Sequence, residues 1–348
     1  MSANYQLIDS GGFGCVIKPP VSSDSNIITT IVPYTKPHAT DVSKIFKMHK
    51  RDDFYNELHI AYKIQKIDPT FKFTVRTKGA HKIKSNVFDK FSHIDMCVRK
   101  KHLFDKKKDA YYQMIMENGG KSIDRQHPHF IAFNQLMKLL KTFLSGMVIF
   151  QKQGYVHNDI KPGNVLLKKD KLSLIDFSLL IKDTDTFSRQ KNHVLSRFDY
   201  YYSPEYYIYY IVSKNVIPFR KQNVLFALMQ NGAFNRFSDF EFNNQYKGDI
   251  IDFLNAVEKK IAQGMSISSI FNKKLALKSD VFSFSFVLQD MLSRNIIVFD
   301  NNEQMTFFKQ LTSLCRNGNP YKRPSFKELY HTINRRYSKT PKPKLNKS

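Results

Sequence analysis

The sequence has no tryptophan, three cysteines and 13 glycines in 348 residues. Cys15, Cys97 and Cys315 lie far apart, too few for a disulfide framework and with no zinc-site spacing. A reducing intracellular compartment is the resulting expectation. No run approaches the roughly 18–20 apolar residues of a membrane span. The opening MSANYQLIDSGG has no basic head before an apolar stretch. We therefore expect a soluble, cytoplasmic protein without a secretory signal or a membrane span. Acidic residues are also scarce: 30 Asp and Glu face 55 Lys and Arg, for a formal net charge of +25.

What is present is enough to bury a core: 42% hydrophobic residues, with 30 Phe and 18 Tyr. That excludes disorder throughout. The positive surplus favours polyanions, whether nucleic acid, acidic protein, anionic membrane surface or nucleotide phosphate. It is unevenly spread. Residues 72–108 hold twelve Lys or Arg against three Asp, and the last fourteen residues hold six basic residues and no acid. The Pro-containing, apolar-poor tail at 336–348 is expected to be a disordered extension.

Residues 5–18 read as strand, glycine turn, strand, with Leu7 and Ile8 before the turn and Val16 and Ile17 after it. TDVSKIFK at 40–47 is a short strand candidate. Residues 52–67 place Phe54, Leu58, Ala61, Ile64 and Ile67 on one helical stripe. After a basic, poorly patterned stretch comes the strand 111–116, ending at Glu117-Asn118-Gly119-Gly120. Leu136, Leu139, Leu140, Phe143, Leu144, Met147 and Val148 predict a helix over 131–152, closed by Gly154. Short strands follow at 165–167 and 172–177, and the chain beyond about 205 reads as helical, notably at 249–262 and 280–292. A β-rich first third and a helical remainder predict an α+β protein of two lobes with a ligand cleft between them.

One segment carries chemistry: YVHNDIKPGNVLL at 155–167. It brings a carboxylate, Asp159, an ammonium, Lys161, and a carboxamide, Asn164, close together in sequence. The plain alternative is a polar turn between helix and strand. His157, Asp159, Lys161 and Asn164 stand at the spacing of the H-R-D-L-K-x-x-N catalytic loop, and the segment resembles that loop of the protein-kinase family, with Asn158 in place of the Arg. The resemblance implies that Asp159 accepts a hydroxyl proton, Asn164 offers a neutral oxygen to a cation, and Lys161 faces a phosphoryl group. Asp176, in Ile175-Asp176-Phe177-Ser178, is similar to the family's D-F-G aspartate and, on that resemblance, holds Mg²⁺ together with Asn164. Asp9-Ser10-Gly11-Gly12-Phe13-Gly14-Cys15-Val16 resembles the glycine-rich nucleotide cover, with Asp9 for its first glycine; alone it would be read as a hairpin turn. The resemblance then assigns Ile8 through Val16, and Glu117 at the end of its strand, to ATP binding. Lys44 is the best match to the ATP-anchoring lysine, with Glu57 as its helix partner; Lys47 is the competing choice. Either could be an ordinary solvated lysine.

Three later marks agree. Tyr202-Ser203-Pro204-Glu205 resembles A-P-E, and Asn319-Pro320-Tyr321-Lys322-Arg323-Pro324 resembles the family's late arginine motif, implying a buried Glu205–Arg323 ion pair. Asp280, in Ser279-Asp280-Val281-Phe282, is similar to the aspartate that braces the catalytic-loop backbone. The resemblance spans about 5–335. It implies a bilobal kinase-like fold, with an N-lobe at 1–117 and a C-lobe at 118–335. Residues 206–275 form an insertion, read either as extra helical packing or as a docking surface; the basic stretch 72–108 is a second docking candidate.

The chain is thus identified as similar to a divergent serine/threonine protein kinase of the kind encoded by large DNA viruses, the viral element resting on residue usage and divergence. If viral, host cytoplasm or the virion is its place. Lys161 two residues past Asp159 is the serine/threonine pattern. A basic enzyme should favour protein substrates with acidic surroundings at the acceptor. The alternatives are a pseudokinase scaffold, a small-molecule kinase and a basic nucleic-acid-binding protein. No zinc-finger, RNP-type or basic-zipper pattern supports the last, so nucleic acid is expected to bind only non-specifically. Because Asn158 replaces the arginine that grips an activation-loop phosphate in many kinases, phosphatase treatment should leave phosphotransfer unchanged. A treated sample that loses activity in a radiolabelled-ATP assay would overturn this.

Overall fold

A computed structural model describes residues 6–10, 14–20, 35–46, 51–84, 110–182, 201–213, 219–230 and 240–338. Gly11, Gly12, Phe13, Lys47, most of the basic stretch 72–108 and the tail from 339 lie outside the described residues. The chain divides into two units, Met1–Gly120 and Lys121–Ser348, a boundary just past Glu117.

In the first unit, β1 (Gln6–Ser10), β2 (Gly14–Lys18), β3 (Val42–Phe46), β4 (Thr77–Lys84) and β5 (Ala110–Met116) form one antiparallel sheet. Its order is β1-β2-β3-β5-β4. Helix α1 (Arg51–Ile67) opens with Asp52 and Asp53, acids that suit the positive end of the helix dipole. Its buried stripe is Phe54, Leu58, Ile60 and Ile64; Ile60 takes the place expected of Ala61 and Ile67, which are only half-buried. Phe54 stacks on Tyr112 with ring centroids 4.7 Å apart and meets Phe46 edge-on at 5.2 Å. Those rings, with Leu58, Ala80 and Met114, make the core between helix and sheet.

Strand β4 is a correction, since the basic stretch after α1 shows no strand pattern in sequence. Lys78, at the register shift between Thr77 and Gly79, and His81 are both buried, so the strand carries polar residues in its interior. Lys78 is tolerated because its Nζ donates to Asp41 Oδ1 and Oδ2 at 3.0 and 2.9 Å. Burying an unpaired ammonium would cost several kcal/mol, on the order of the penalty per ion in protein interiors. Cys15, in β2, is buried and disulfide-bonded, a bond the cysteine count does not anticipate.

The second unit is mainly helical. Helix α2 (Phe133–Lys152) buries Leu136, Leu140, Phe143, Leu144, Met147 and Phe150, while Leu139 and Val148 lie at the edge of the stripe. It begins after two short strands, β6 (Lys121–Ser122) and β7 (Ile131–Ala132), rather than at 131, and Gly154 closes it at φ 81°. Helices α3 (Pro204–Ser213), α4 (Lys221–Gln230), α5 (Phe240–Ala262), α6 (Ile267–Ile270), α7 (Lys273–Ser293), α8 (Asn302–Cys315) and α9 (Phe326–Ser338) follow. Helix α7 is buried on several faces, through Val281, Phe282, Phe284, Val287, Leu288 and Met291, as a central helix must be. The mixed α+β class is therefore as expected. Among the described residues no helix is long and apolar enough to cross a membrane.

The described part of the 206–275 insertion contributes one face to the core. Tyr246, Ile250, Phe253, Leu254 and Val257 form a fully buried face of α5, and Tyr246 stacks on Phe282 of α7 at 5.9 Å. This is the packing reading of the insertion. The expected ion pair is present: Arg323 Nη1 and Nη2 donate to Glu205 Oε1 and Oε2 at 2.7 and 3.1 Å, with both side chains fully buried. The guanidinium is further satisfied by the carbonyls of Lys278 and Asn317. Removing one partner would strand a buried charge, at about 3–5 kcal/mol.

Helix α5 also supports the loop that delivers Arg323. Asp249 Oδ2 accepts from the Gly318 N–H at 3.2 Å, and Lys322 pairs with Asp252 at 2.6 Å. A Cβ on Gly318 would lie 3.0 Å from the Tyr246 carbonyl oxygen. Gly318→Ala should therefore destabilise by about 1–3 kcal/mol, the usual cost of overpacking. Gly248→Ala, on the open face of the same helix with nothing within 4 Å of the new methyl, should stabilise by about 0.5–1 kcal/mol. Urea midpoints of the two variants should shift in opposite directions.

Candidate active site

The segment 155–182 is folded by short strands that leave its polar residues on turns. Beyond the Gly154 turn come β8 (Tyr155–Val156), a 3-10 turn at Pro162–Asn164, β9 (Val165–Lys168) and β10 (Lys171–Leu174). Strand β10 pairs antiparallel with β9, and β11 (Ile181–Lys182) pairs with β8. Asp176 does not end a strand; it follows β10 in the left-handed region at φ 60°. Asn158 is also left-handed, at φ 65°. Such positions are uncommon for non-glycine residues and cluster at functional sites.

Asp280, from the buried centre of α7, fixes the loop from below. Its Oδ2 accepts the His157 N–H at 2.8 Å and its Oδ1 the Asn158 N–H at 2.9 Å. Burial pushes its carboxyl up to about 7, while the two N–H bonds pull it back down. His157 is fully buried and ties two segments together. Its Nδ1 accepts the Asp159 N–H at 3.2 Å, and its Nε2 lies 3.2 Å from the Ile175 carbonyl, beside Asp176. Those roles require the neutral tautomer with the proton on Nε2, and burial lowers the imidazole to about 4.

Asp159, Lys161 and Asn164 lie in hydrogen-bond contact with one another. Lys161 Nζ donates to both Asp159 oxygens at 2.9 Å. Asn164 Nδ2 donates to Asp159 Oδ2 at 2.7 Å and to the Asp159 carbonyl at 2.8 Å. Burial raises the Asp159 carboxyl to about 6, helped by the negative charge of Asp176 and opposed by Lys161 and Asn164. With Nδ2 spent on Asp159, the Asn164 Oδ1 is the atom left to face a cation. The Ile175 N–H donates to the Asn164 carbonyl at 3.0 Å, which brings Asn164 beside Asp176. One carboxylate and one amide oxygen form a hard donor pair, suited to a cation completed by substrate phosphates and water. Among the described residues no group of three or more His, Cys, Asp or Glu could hold a metal by itself.

In the first unit, Lys44 Nζ donates to Glu57 Oε1 and Oε2 at 2.7 and 2.8 Å, with both side chains mostly buried. Ile8 is exposed, and Asp9 and Ser10 pair with Val16 and Cys15 across β1 and β2. Gly14 opens β2, whereas Gly11, Gly12 and Phe13 cannot be placed among the described residues. The Glu117 N–H donates to the Arg76 carbonyl at 2.9 Å. Sequence reasoning missed Tyr206, whose hydroxyl donates to Asn158 Oδ1 at 2.7 Å. Its position directly after Glu205 was the available signal, lost in a tyrosine-rich run.

No family model matches this sequence. A Plasmodium falciparum (isolate 3D7) protein named "Inactive protein tyrosine kinase pTKL" is 23% identical over 259 residues, a stretch that is 66% of this chain and 16% of that protein. The similarity is kinase-like. The present chain thus matches only a small part of that relative's length.

The buried imidazole makes folding pH-dependent. An unfolded histidine takes a proton near pH 6.5, the folded His157 only near 4. The unfolded state therefore binds more protons in that window, and stability falls as pH drops through it. Asp280, shifted upward, contributes with the opposite sign, so the variant difference is the measurement. Relative to His157→Gln, wild-type unfolding free energy should fall by about 2–3 kcal/mol between about pH 7.5 and about pH 4.5 in urea titrations.

Proposed function

We propose that this chain is a protein kinase that transfers the γ-phosphoryl group of Mg·ATP to serine or threonine hydroxyls of proteins. The observation that carries the reading is the Asp159–Lys161–Asn164 cluster beside Asp176, held on the Asp280 brace. A bound Mg²⁺ would offset the charge of the nucleotide phosphates. Asn164 and Asp176 would hold it.

Asp159 accepts or orients the proton of the acceptor hydroxyl while that oxygen attacks the γ-phosphorus, and ADP leaves. A carboxyl raised to about 6 is a better base than an ordinary aspartate and is still ionised at neutral pH. Lys161, which lies on Asp159 here, is long enough to follow the charge that builds on the transferring phosphoryl group. Lys44 anchors the nucleotide phosphates, and Glu57 holds its ammonium extended. Lys161 at the second position past Asp159 supports hydroxyls of Ser and Thr over Tyr. The surplus of basic residues supports acceptors flanked by acidic side chains.

A second reading is a pseudokinase scaffold, favoured by the name of the Plasmodium relative, which calls that protein inactive. Presence of Lys44, Glu57, Asp159, Asn164 and Asp176 in this chain weighs against it. Radiolabelled ATP with casein, histone and basic protein as acceptors separates the two. Wild type should label Ser and Thr, most strongly in casein, and Asp159→Asn should be slower by about 10²–10⁴-fold. ATP binding by wild type with no transfer to any acceptor would leave the scaffold reading.

A further inference from the structure

The Asn158 side chain has no part in the chemistry above, yet it is buried to 3% exposure and both ends of its carboxamide are used. Its Nδ2 donates to the Leu179 carbonyl at 3.2 Å, in the turn that follows Asp176. Its Oδ1 accepts from the Tyr206 hydroxyl, in the first turn of α3. Leu179 offers only a carbonyl, which fixes the amide orientation: nitrogen toward Leu179, oxygen toward Tyr206. An aspartate here would repel the Leu179 carbonyl, and an arginine or lysine could not accept from Tyr206. The residue must both give and receive, and it must tolerate φ 65°. Asparagine meets all three conditions.

Tyr206 is held as firmly. It is 3% exposed, and its neighbour Glu205 is locked by Arg323. Ser279, next to Asp280 on α7, approaches the same hydroxyl at 3.3 Å. The Asn158 backbone is thus gripped by Asp280 through its N–H, and its side chain by Tyr206. Asp159 is the next residue in the chain.

We propose that the Tyr206 hydroxyl, acting through the Asn158 carboxamide, is a positioning group that holds Asp159 in its working place by a neutral hydrogen-bonded clamp. It rests on the kinase reading for its effect on rate, but not for its effect on the loop. Tyr206 touches no reacting atom; it limits rotation of the segment that carries the base, and a small misplacement of a base is costly in rate.

Tyr206→Phe removes one oxygen and keeps the ring. With Mg·ATP and casein, the variant should show kcat lower by about tenfold, the size of one lost hydrogen bond, and KM for ATP within about twofold of wild type. Asn158→Leu, which also loses the Leu179 bond and the side chain suited to φ 65°, should cost at least as much, and the double variant no more than Asn158→Leu alone, because that change already breaks the Tyr206 contact. Amide hydrogen exchange supplies a readout free of activity: the His157 and Asn158 N–H groups, bonded to Asp280, should exchange faster in Tyr206→Phe by a larger factor than the core amides of α7, which report global stability. An active wild type whose Tyr206→Phe variant keeps full kcat overturns the proposal. Additive losses in the double variant also overturn it. If wild type transfers no phosphate, the kinase reading falls and exchange alone decides the clamp. Faster exchange at 157–158 then upholds it, and unchanged exchange sinks it.

Discussion

A single carboxylate at the centre of α7 sets the geometry of the 155–164 loop. Asp280 can be buried only because the loop aims two consecutive backbone N–H groups at it, and the loop can take that shape only because a buried acceptor awaits. Each side would otherwise carry an unsatisfied polar group away from water, at about 1–3 kcal/mol apiece and more for the charge. The left-handed turn at Asn158 is the backbone's share of the arrangement. Strain there is tolerated because Asp280, Tyr206 and Leu179 all hold the residue from different directions.

His157 extends the same constraint outward. A neutral imidazole has one donor and one acceptor, and both are used on backbone atoms flanking functional carboxylates. The ring of Phe177 lies edge-on to it at 4.7 Å, so packing and hydrogen bonding fix the same plane. Two acids, Asp159 and Asp176, are thereby kept near each other although their charges repel. Lys161 and Asn164 offset that repulsion from one side, and a cation would do so from the other. The first unit follows similar logic on a smaller scale: Lys44 on a strand and Lys78 on its neighbour but one are each held by a carboxylate from elsewhere in the unit.

Much of this was legible in the amino-acid order where residue type and spacing carry the information. Helices α1 and α2 show in their apolar periodicity. Asp159, Lys161 and Asn164 stand out because few loops need those groups at that spacing. Lys44 contacts Glu57, whereas its competitor Lys47 lies outside the described residues. Strand β4 was hidden because its interior holds Lys78 and His81, whose burial depends on Asp41 and on neighbours far along the chain. Tyr206 was hidden for a related reason. Nothing in YYIYYIV says which phenol meets an amide some fifty residues earlier. The role of α5 was open as well, since a buried stripe on a helix reads alike whether it faces its own core or a partner.

The close approach at Gly318 has a consequence for how such a chain can change. The obstacle to a side chain there is the carbonyl of Tyr246, which no rotamer can move. Position 318 is therefore tied to the seating of the α5 backbone, whatever side chain stands at 246, although 72 residues separate the two. A chain that shortens or reorients α5 frees position 318 to vary, and one that keeps α5 seated must keep glycine.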